Sequence, residues 1–212
     1  MNIPISIPDD DCQLCPRLVG FRNENRMRFP DWHNGPVASF GSISSHLLIV
    51  GLAPGLKGAN RTGRPFTGDV AGDLLYPTLM RFGLAKGEFT TVPDDKIELI
   101  NCRITNAVRC VPPQNKVTGP ETAACQSFLI TEIAMMKNLR VILALGGVAH
   151  RTVLSAFGKK QSTFPFSHGA RHELNCELSL MDSYHCSRYN TNTGRLTTKM
   201  FNDVFQDVTS LL

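Results

Sequence analysis

The chain has 212 residues, 42% of them hydrophobic and 19% charged. That is too apolar for a disordered polymer, long enough for one full core and short for two. Lys plus Arg total 22 against 18 Asp plus Glu, a net charge of +4, which suits a polyanionic partner without requiring one. No run approaches the ~18 apolar residues of a membrane span. The opening MNIPISIPDDDC has no basic and apolar leader pattern, so a reducing cytosol or nucleoid of bacterial type and no membrane partner are expected.

In chain order, the first feature is Cys12-x-x-Cys15 in a polar segment closed by Pro16. Leu47–Leu52 (LLIVGL) then reads as a strand covered on both faces. It runs into a glycine-studded loop, Gly51–Asp69. Asp73–Leu84 is amphipathic despite Pro77, which kinks it or marks a second start. Ile97–Val108 reads as a second strand, followed by the loop Arg109–Lys116. Thr118-Gly-Pro-Glu opens a helix to about Leu139, with Pro120 placed for its first turn. Val141–Leu145 is a third strand, and Val148–Phe157 a helix stopped by Gly158. Leu178–Tyr184 is a fourth strand, and His185–Arg195 a third polar loop. A last helix spans Thr198–Leu211, with Thr197 as N-cap and Leu196 stapling onto Phe201.

Strands alternating with helices predict a three-layer α/β/α sandwich around a mostly parallel four-stranded sheet. No repeat or linker divides the chain, so 1–212 is read as one domain. The three polar loops follow strand carboxyl ends, where ligands bind in such folds, and should converge on one crevice.

Seven cysteines are many for a cytosolic chain, and a disulfide framework is not expected there. Cys12, Cys15, Cys110 and Cys125 form a pair plus two singles, a pattern that fits a four-thiolate iron–sulfur cluster or a four-cysteine zinc site. The alternative, small buried hydrophobes, suits Cys102 within a strand better than it suits Cys12 and Cys15. The first loop has no GxxxxGK[ST] and is not a P-loop. It offers Arg61, Arg64, Phe66 and Asp69. Phe66 is either a stacking platform for a planar ligand or a core anchor. Asp69 is either a functional carboxylate or the cap of the next helix. His185, beside Ser187 and Arg188 at a strand end, is placed for a ligand. The other five histidines are read as surface or satisfied core residues.

Taken together and in order, GLAPG (51–55), NRTGRPFTGD (60–69), AVRCVPPQNK (107–116) and HCSRYNTNTGRLT (185–197), with Cys12-x-x-Cys15 upstream, resemble the uracil-DNA glycosylase superfamily. Within it they resemble the iron–sulfur-containing family 5 enzymes. The resemblance implies a [4Fe–4S] cluster on Cys12, Cys15, Cys110 and Cys125. It also implies hydrolytic removal of uracil and some other damaged bases from DNA, leaving an abasic site. Asp69 matches the acidic active-site residue, His185 the histidine of the second motif, Phe66 the base-stacking aromatic and Asn115 a pocket asparagine. Gly51 and Ala53 fall in the base-binding first motif. Leu52 stands where other branches place a polar or acidic residue, which shifts the acidic role to Asp69. Asn106 is a residue that family 5 members often lack and other branches use to read the base, so it is expected to sharpen the preference for uracil. Arg61, Arg64, Arg188 and Arg195 are expected to hold the DNA backbone, and the segment around Tyr189 to fill the vacated stack. A monomer is the default. The rival readings are a zinc-stabilised, non-catalytic nucleic-acid-binding module and a small iron–sulfur electron carrier.

Overall fold

The computed structural model describes residues 7–92 and 96–212; the expectation that the opening carries no leader falls partly on residues outside this set. Four strands form a parallel array: β1 (Leu47–Gly51), β4 (Cys102–Asn106), β5 (Val141–Leu145) and β7 (Ser179–Ser183). A fifth, β6 (Arg171–Glu173), adds antiparallel to the β7 edge, giving the order β4-β1-β5-β7-β6. The sheet thus has five strands rather than the four expected. β6 reads Arg-His-Glu, and so short a polar edge strand carries no apolar signature.

Period-two alternation splits the sheet residues between two cores. Leu47, Ile49, Ile104, Leu143 and Met181 face α3 (Val70–Arg81) and α7 (Thr198–Thr209) in one cluster. Leu48, Val50, Ile142, Ala144 and Leu180 face α4 (Gly119–Met135) and α5 (Gly147–Ala156) in the other. This is the three-layer sandwich.

Thr118 and Glu121 close a capping box on α4, with Pro120 in its first turn. The Thr197 hydroxyl caps α7 by accepting from the Met200 N–H at 3.2 Å, and Leu196 and Phe201 share the first core. Helix α3 begins at Val70, one turn earlier than its apolar pattern suggests, and runs through Pro77.

One element was not anticipated and one expectation is corrected. Cys12–Cys15 lie outside any helix or strand, and the segment after them is a helix, α1 (Pro16–Arg28), with Pro16 in its first turn and only Leu18, Arg22 and Asn25 buried. So narrow a buried stripe is easily read as loop. The run Ile97–Val108 is not one strand. Asn101 adopts φ +51° and separates β3 (Glu98–Leu99) from β4, and β3 pairs instead with β2 (Ala85–Lys86) as a separate antiparallel ribbon. Among the described residues there are also two short α-helices, α2 (Ala59–Thr62) and α6 (Arg188–Asn192), and two 3-10 turns, Pro113–Asn115 and Gln161–Thr163. Among the described residues no helix is long and apolar enough to cross a membrane.

The connection from β1 leads to one side of it, to β4, whereas that from β5 leads to the other, to β7. The crevice therefore opens beyond the carboxyl ends of β1 and β5, where chain direction switches.

Candidate active site

A cleft of about 640 Å³ occupies that position. Leu52–Gly55, Lys57, Gly68–Ala71, Asn115, His185 and Ser187–Tyr189 line it, so all three expected loops meet there. A fourth wall, Leu145–Val148 at the β5–α5 turn, was not anticipated. Its only sequence signal is the pair Gly146-Gly147 following an apolar strand. A smaller recess of about 30 Å³ shares Ala53, Asp69 and His185 with the cleft and adds Phe66 and Asn106.

Asp69 is the helix cap that one reading offered, and it also lines the cleft. As N-cap of α3, its Oδ1 accepts from the Ala71 and Gly72 N–H groups at 3.1 and 3.3 Å. Its Oδ2 lies against Gly55 and Gly58, where a Cβ built on Gly58 would stand 2.4 Å from it. Burial pushes the carboxyl above the usual aspartate value, and the two backbone N–H bonds partly offset that push.

Phe66 is likewise both anchor and lining. It is 6% exposed and sits in the first core, while its ring lies 5.9 Å from that of His185 at an interplanar angle of 25°. Its backbone is left-handed, φ +53°, a conformation that costs a non-glycine residue about 1–3 kcal/mol and needs external support. Two neighbours supply it: the Tyr76 hydroxyl donates to the Pro65 carbonyl at 2.8 Å, and the Thr62 hydroxyl donates to that of Thr67 at 3.2 Å. Gly51 does not line the cavity. It pairs with Asn106 across β1–β4, and a Cβ there would meet Asn106 Oδ1 at 2.5 Å and Phe66 Cζ at 2.8 Å. Its place is beneath the two side chains that do line it.

His185 is partly buried, and its Nδ1 has no hydrogen-bond partner. Burial holds its pKa down to about 4, so the ring is neutral at physiological pH. The Asn190 side-chain amide donates to the His185 carbonyl at 2.8 Å and fixes the loop. Cys186, the next residue, is buried in the first core.

The arginines divide. Arg188 lines the mouth with Tyr189, which is 71% exposed. Arg61 and Arg195 are exposed outside the lining, Arg195 with its guanidinium 4.6 Å over the Tyr184 ring. Arg64 does not belong with them. It is buried, its Nε donates to the Thr67 hydroxyl at 2.8 Å, and its guanidinium lies over the Phe40 and Tyr76 rings. A glycine-rich neighbourhood suggested a phosphate contact; the packing shows a brace for the Phe66 loop.

Behind the cleft, the His150 Nε2 faces the Phe164 carbonyl at 2.8 Å and its Nδ1 faces Asp182 Oδ1 at 2.8 Å, while His172 Nε2 meets Asp182 Oδ2 at 3.0 Å. A carbonyl only accepts, so Nε2 carries a hydrogen, and a second proton lies between Nδ1 and the carboxyl group. This network ties α5, which starts just after Gly146, to β6 and to β7, the strand that leads to His185.

Cys12, Cys15, Cys110 and Cys125 line one small recess between α1 and α4, with Leu18, Val108, Arg22 and Phe128. The Arg109 N–H donates to Cys125 Sγ at 3.4 Å. Burial pushes the thiol of Cys15 up to about 11 and that of Cys110 up to about 12. Among the described residues no three of these sulfurs lie within 4.8 Å of one another, whereas a tetrahedral zinc with bonds of ~2.3 Å needs sulfurs roughly 3.8 Å apart.

A family model described as the uracil DNA glycosylase superfamily matches residues 38–209. The type-5 uracil-DNA glycosylase of Thermus thermophilus is 44% identical over 206 residues, covering 94% of this chain and 93% of that protein. That of Mycobacterium leprae is 42% identical over 219 residues, 100% of this chain and 94% of the other. A type-4 uracil-DNA glycosylase of Pyrobaculum aerophilum is 31% identical over 151 residues, 71% and 68% of the two chains.

Proposed function

Because the chain belongs to the uracil-DNA glycosylase superfamily, with type-5 relatives along almost its whole length, we propose that it hydrolyses the N-glycosidic bond of uracil in DNA. Other deaminated or damaged bases are further substrates on this reading, and an abasic site is the product. The observation that carries the proposal is one carboxylate, Asp69, with one oxygen committed to a helix cap and the other against Gly55 and Gly58, in a side chain that lines the cleft with His185 and the smaller recess with His185 and Phe66.

A stacked base is out of reach, so the nucleotide must be everted, at a cost of a few kcal/mol. Tyr189, the most exposed aromatic at the mouth, is suited to fill the gap left behind. Arg188 and Lys57 at the mouth, with Arg61 and Arg195 beyond it, hold phosphates. The flipped ring packs on Phe66 with its edge toward Asn106, and Ala53 and Asn115 close its sides. Asp69 is ionised when active. It accepts a proton from a water aimed at C1′ and stabilises the positive charge growing on the sugar. The water oxygen ends on C1′, and the bond electrons leave with the base. Neutral His185 gives a hydrogen bond to the departing anion without protonating it outright.

The four cysteines fit a [4Fe–4S] cluster: four thiols, that of Cys125 buried and those of Cys12, Cys15 and Cys110 half-buried, share one recess with Arg22 and apolar side chains. Bound, the cluster supplies a cross-link joining the Cys12–Cys15 segment to the Cys110 loop and α4, without entering the hydrolysis. The reading is completed by a monomeric, cytosolic protein in which 1–212 act as one domain.

The test is formation of alkali-labile breaks in a uracil-containing duplex under single-turnover conditions. Wild-type protein produces alkali-labile sites; Asp69→Asn slows their formation by about 10²-fold or more with DNA binding preserved. No breaks with wild-type protein, or an unimpaired Asp69→Asn, refutes the proposal. Asn106→Ala leaving the relative rates on uracil and other lesions unchanged would remove Asn106 from base selection.

A further inference from the structure

Arg22 is 2% exposed on α1. Its Nη2 donates to the Cys12 carbonyl at 3.0 Å, its Nη1 points at Cys110 Sγ at 4.0 Å, and its Nε is buried with no partner. Among the described residues no carboxylate reaches it within ion-pair distance. The other buried guanidiniums are compensated. Arg103 and Arg109 share Glu132 at 2.7 and 2.6 Å, and Arg64 lies on two aromatic faces. The carboxylate that does sense Arg22, Asp11, is exposed and ion-paired with Arg26; a buried cation so weakly compensated is strongly unfavourable, and what faces this one is the wall of the cysteine recess.

We propose that Arg22 is the counter-charge of the thiolate centre, a positioning residue that holds the cluster by charge and by an N–H directed at the Cys110 sulfur. This rests on the cluster reading given above. A four-thiolate iron–sulfur centre is a net anion, because the thiolate charges exceed that of the core. A buried guanidinium beside one sulfur stabilises that anion and favours its reduced form, since charge and hydrogen bonds to sulfur set the potential of such centres. Outer partners of metal ligands are worth about 10- to 100-fold in retention. The Nη2 bond to the Cys12 carbonyl also ties α1 to the segment carrying the first two ligands.

The experiment uses holoprotein purified without oxygen. It measures iron, acid-labile sulfide, the rate of iron loss to a chelator and the midpoint potential of the one-electron couple. Arg22→Gln is expected to release iron about 10- to 100-fold faster. It should also lower the potential, a tenfold shift in the reduction equilibrium corresponding to about 59 mV. Arg22→Lys, which keeps the charge, should recover most of both. If Arg22→Gln retains no iron, iron retained by Arg22→Lys supports the role. Equal loss from both variants, or an Arg22→Gln protein with wild-type potential and release rate, overturns it. Wild-type protein free of iron and sulfide removes the cluster reading and this role with it. Iron-replete protein indifferent to both substitutions removes only the role of Arg22.

Discussion

Gly58→Ala tests the active-site geometry without touching a group assigned to the chemistry. A methyl there would stand 2.4 Å from Asp69 Oδ2 and 2.9 Å from its Cγ. Ordinary carbon contacts begin near 3.5 Å, so the carboxylate must move by about 1 Å. It has little slack. The cap bonds to Ala71 and Gly72 are already 3.1 and 3.3 Å long, and such a shift breaks at least one. Loss of an N-cap is worth ~1 kcal/mol of stability. Misplacing a reacting group by 1 Å costs about 10²-fold in rate, or roughly 2.7 kcal/mol of transition-state stabilisation. Single-turnover cleavage of a uracil-containing duplex measures the second quantity, and urea denaturation of the holoprotein the first. The signature is a rate loss larger than the stability loss. A Gly58→Ala enzyme within threefold of wild type would refute the placement of Asp69 as the group that orients water.

The raised pKa of Asp69 and the lowered one of His185 fix the acid limb of the pH profile. The rate should fall as pH drops through a value above the ordinary aspartate pKa, because protonation removes the carboxylate. It should show no inflection near the ordinary histidine value of ~6.5; one that vanishes in His185→Gln would contradict a neutral ring. Arg188→Ala should weaken binding and flatten its salt dependence by about one unit of slope per lost phosphate contact, and an unchanged slope in binding titrations would place Arg188 off the backbone. Arg64→Ala should instead lower stability, with the salt slope unaltered. Glu132 lies fully buried between Arg103 and Arg109. Burial works to raise its carboxyl group, but the two guanidiniums prevail and hold it below the ordinary value. Glu132→Gln leaves two buried cations facing each other and should cost about 3–5 kcal/mol in denaturant titration.

How much of this could be read from residues alone follows the physics of each element. β1 and β5 are nearly continuous apolar runs because helices cover both faces, and they stood out at once. Helix α1 did not, because its buried stripe includes Arg22 and Asn25, polar residues that pattern reading assigns to solvent. The run Ile97–Val108 continues in composition where the backbone turns, since the left-handed conformation at Asn101 is a property of one residue and leaves no trace in hydrophobicity. At the site, the loops that converge were legible as polar segments after strands. Lys57 and the Gly146-Gly147 wall were not, because lining a cavity with backbone needs no special side chain. Arg64 was misassigned because a guanidinium that stacks on Phe40 and Tyr76 looks the same in one dimension as one that meets a phosphate. The His150–Asp182 pair is separated by 32 residues, a distance over which only the fold makes neighbours.

The divided duty of Asp69 limits what that position can become. Its reach is set at both ends, by the first turn of α3 on one side and the glycines at 55 and 58 on the other. Glutamate, one methylene longer, cannot satisfy the helix end with one oxygen and present the second at the same point in the cleft. Asparagine keeps the turn closed but gives up the charge. On the proposed mechanism the geometry separates folding from turnover within a single side chain: asparagine serves the first, and neither replacement serves the second. Variation in lesion preference would then arise elsewhere along the cleft, in the walls that meet the base.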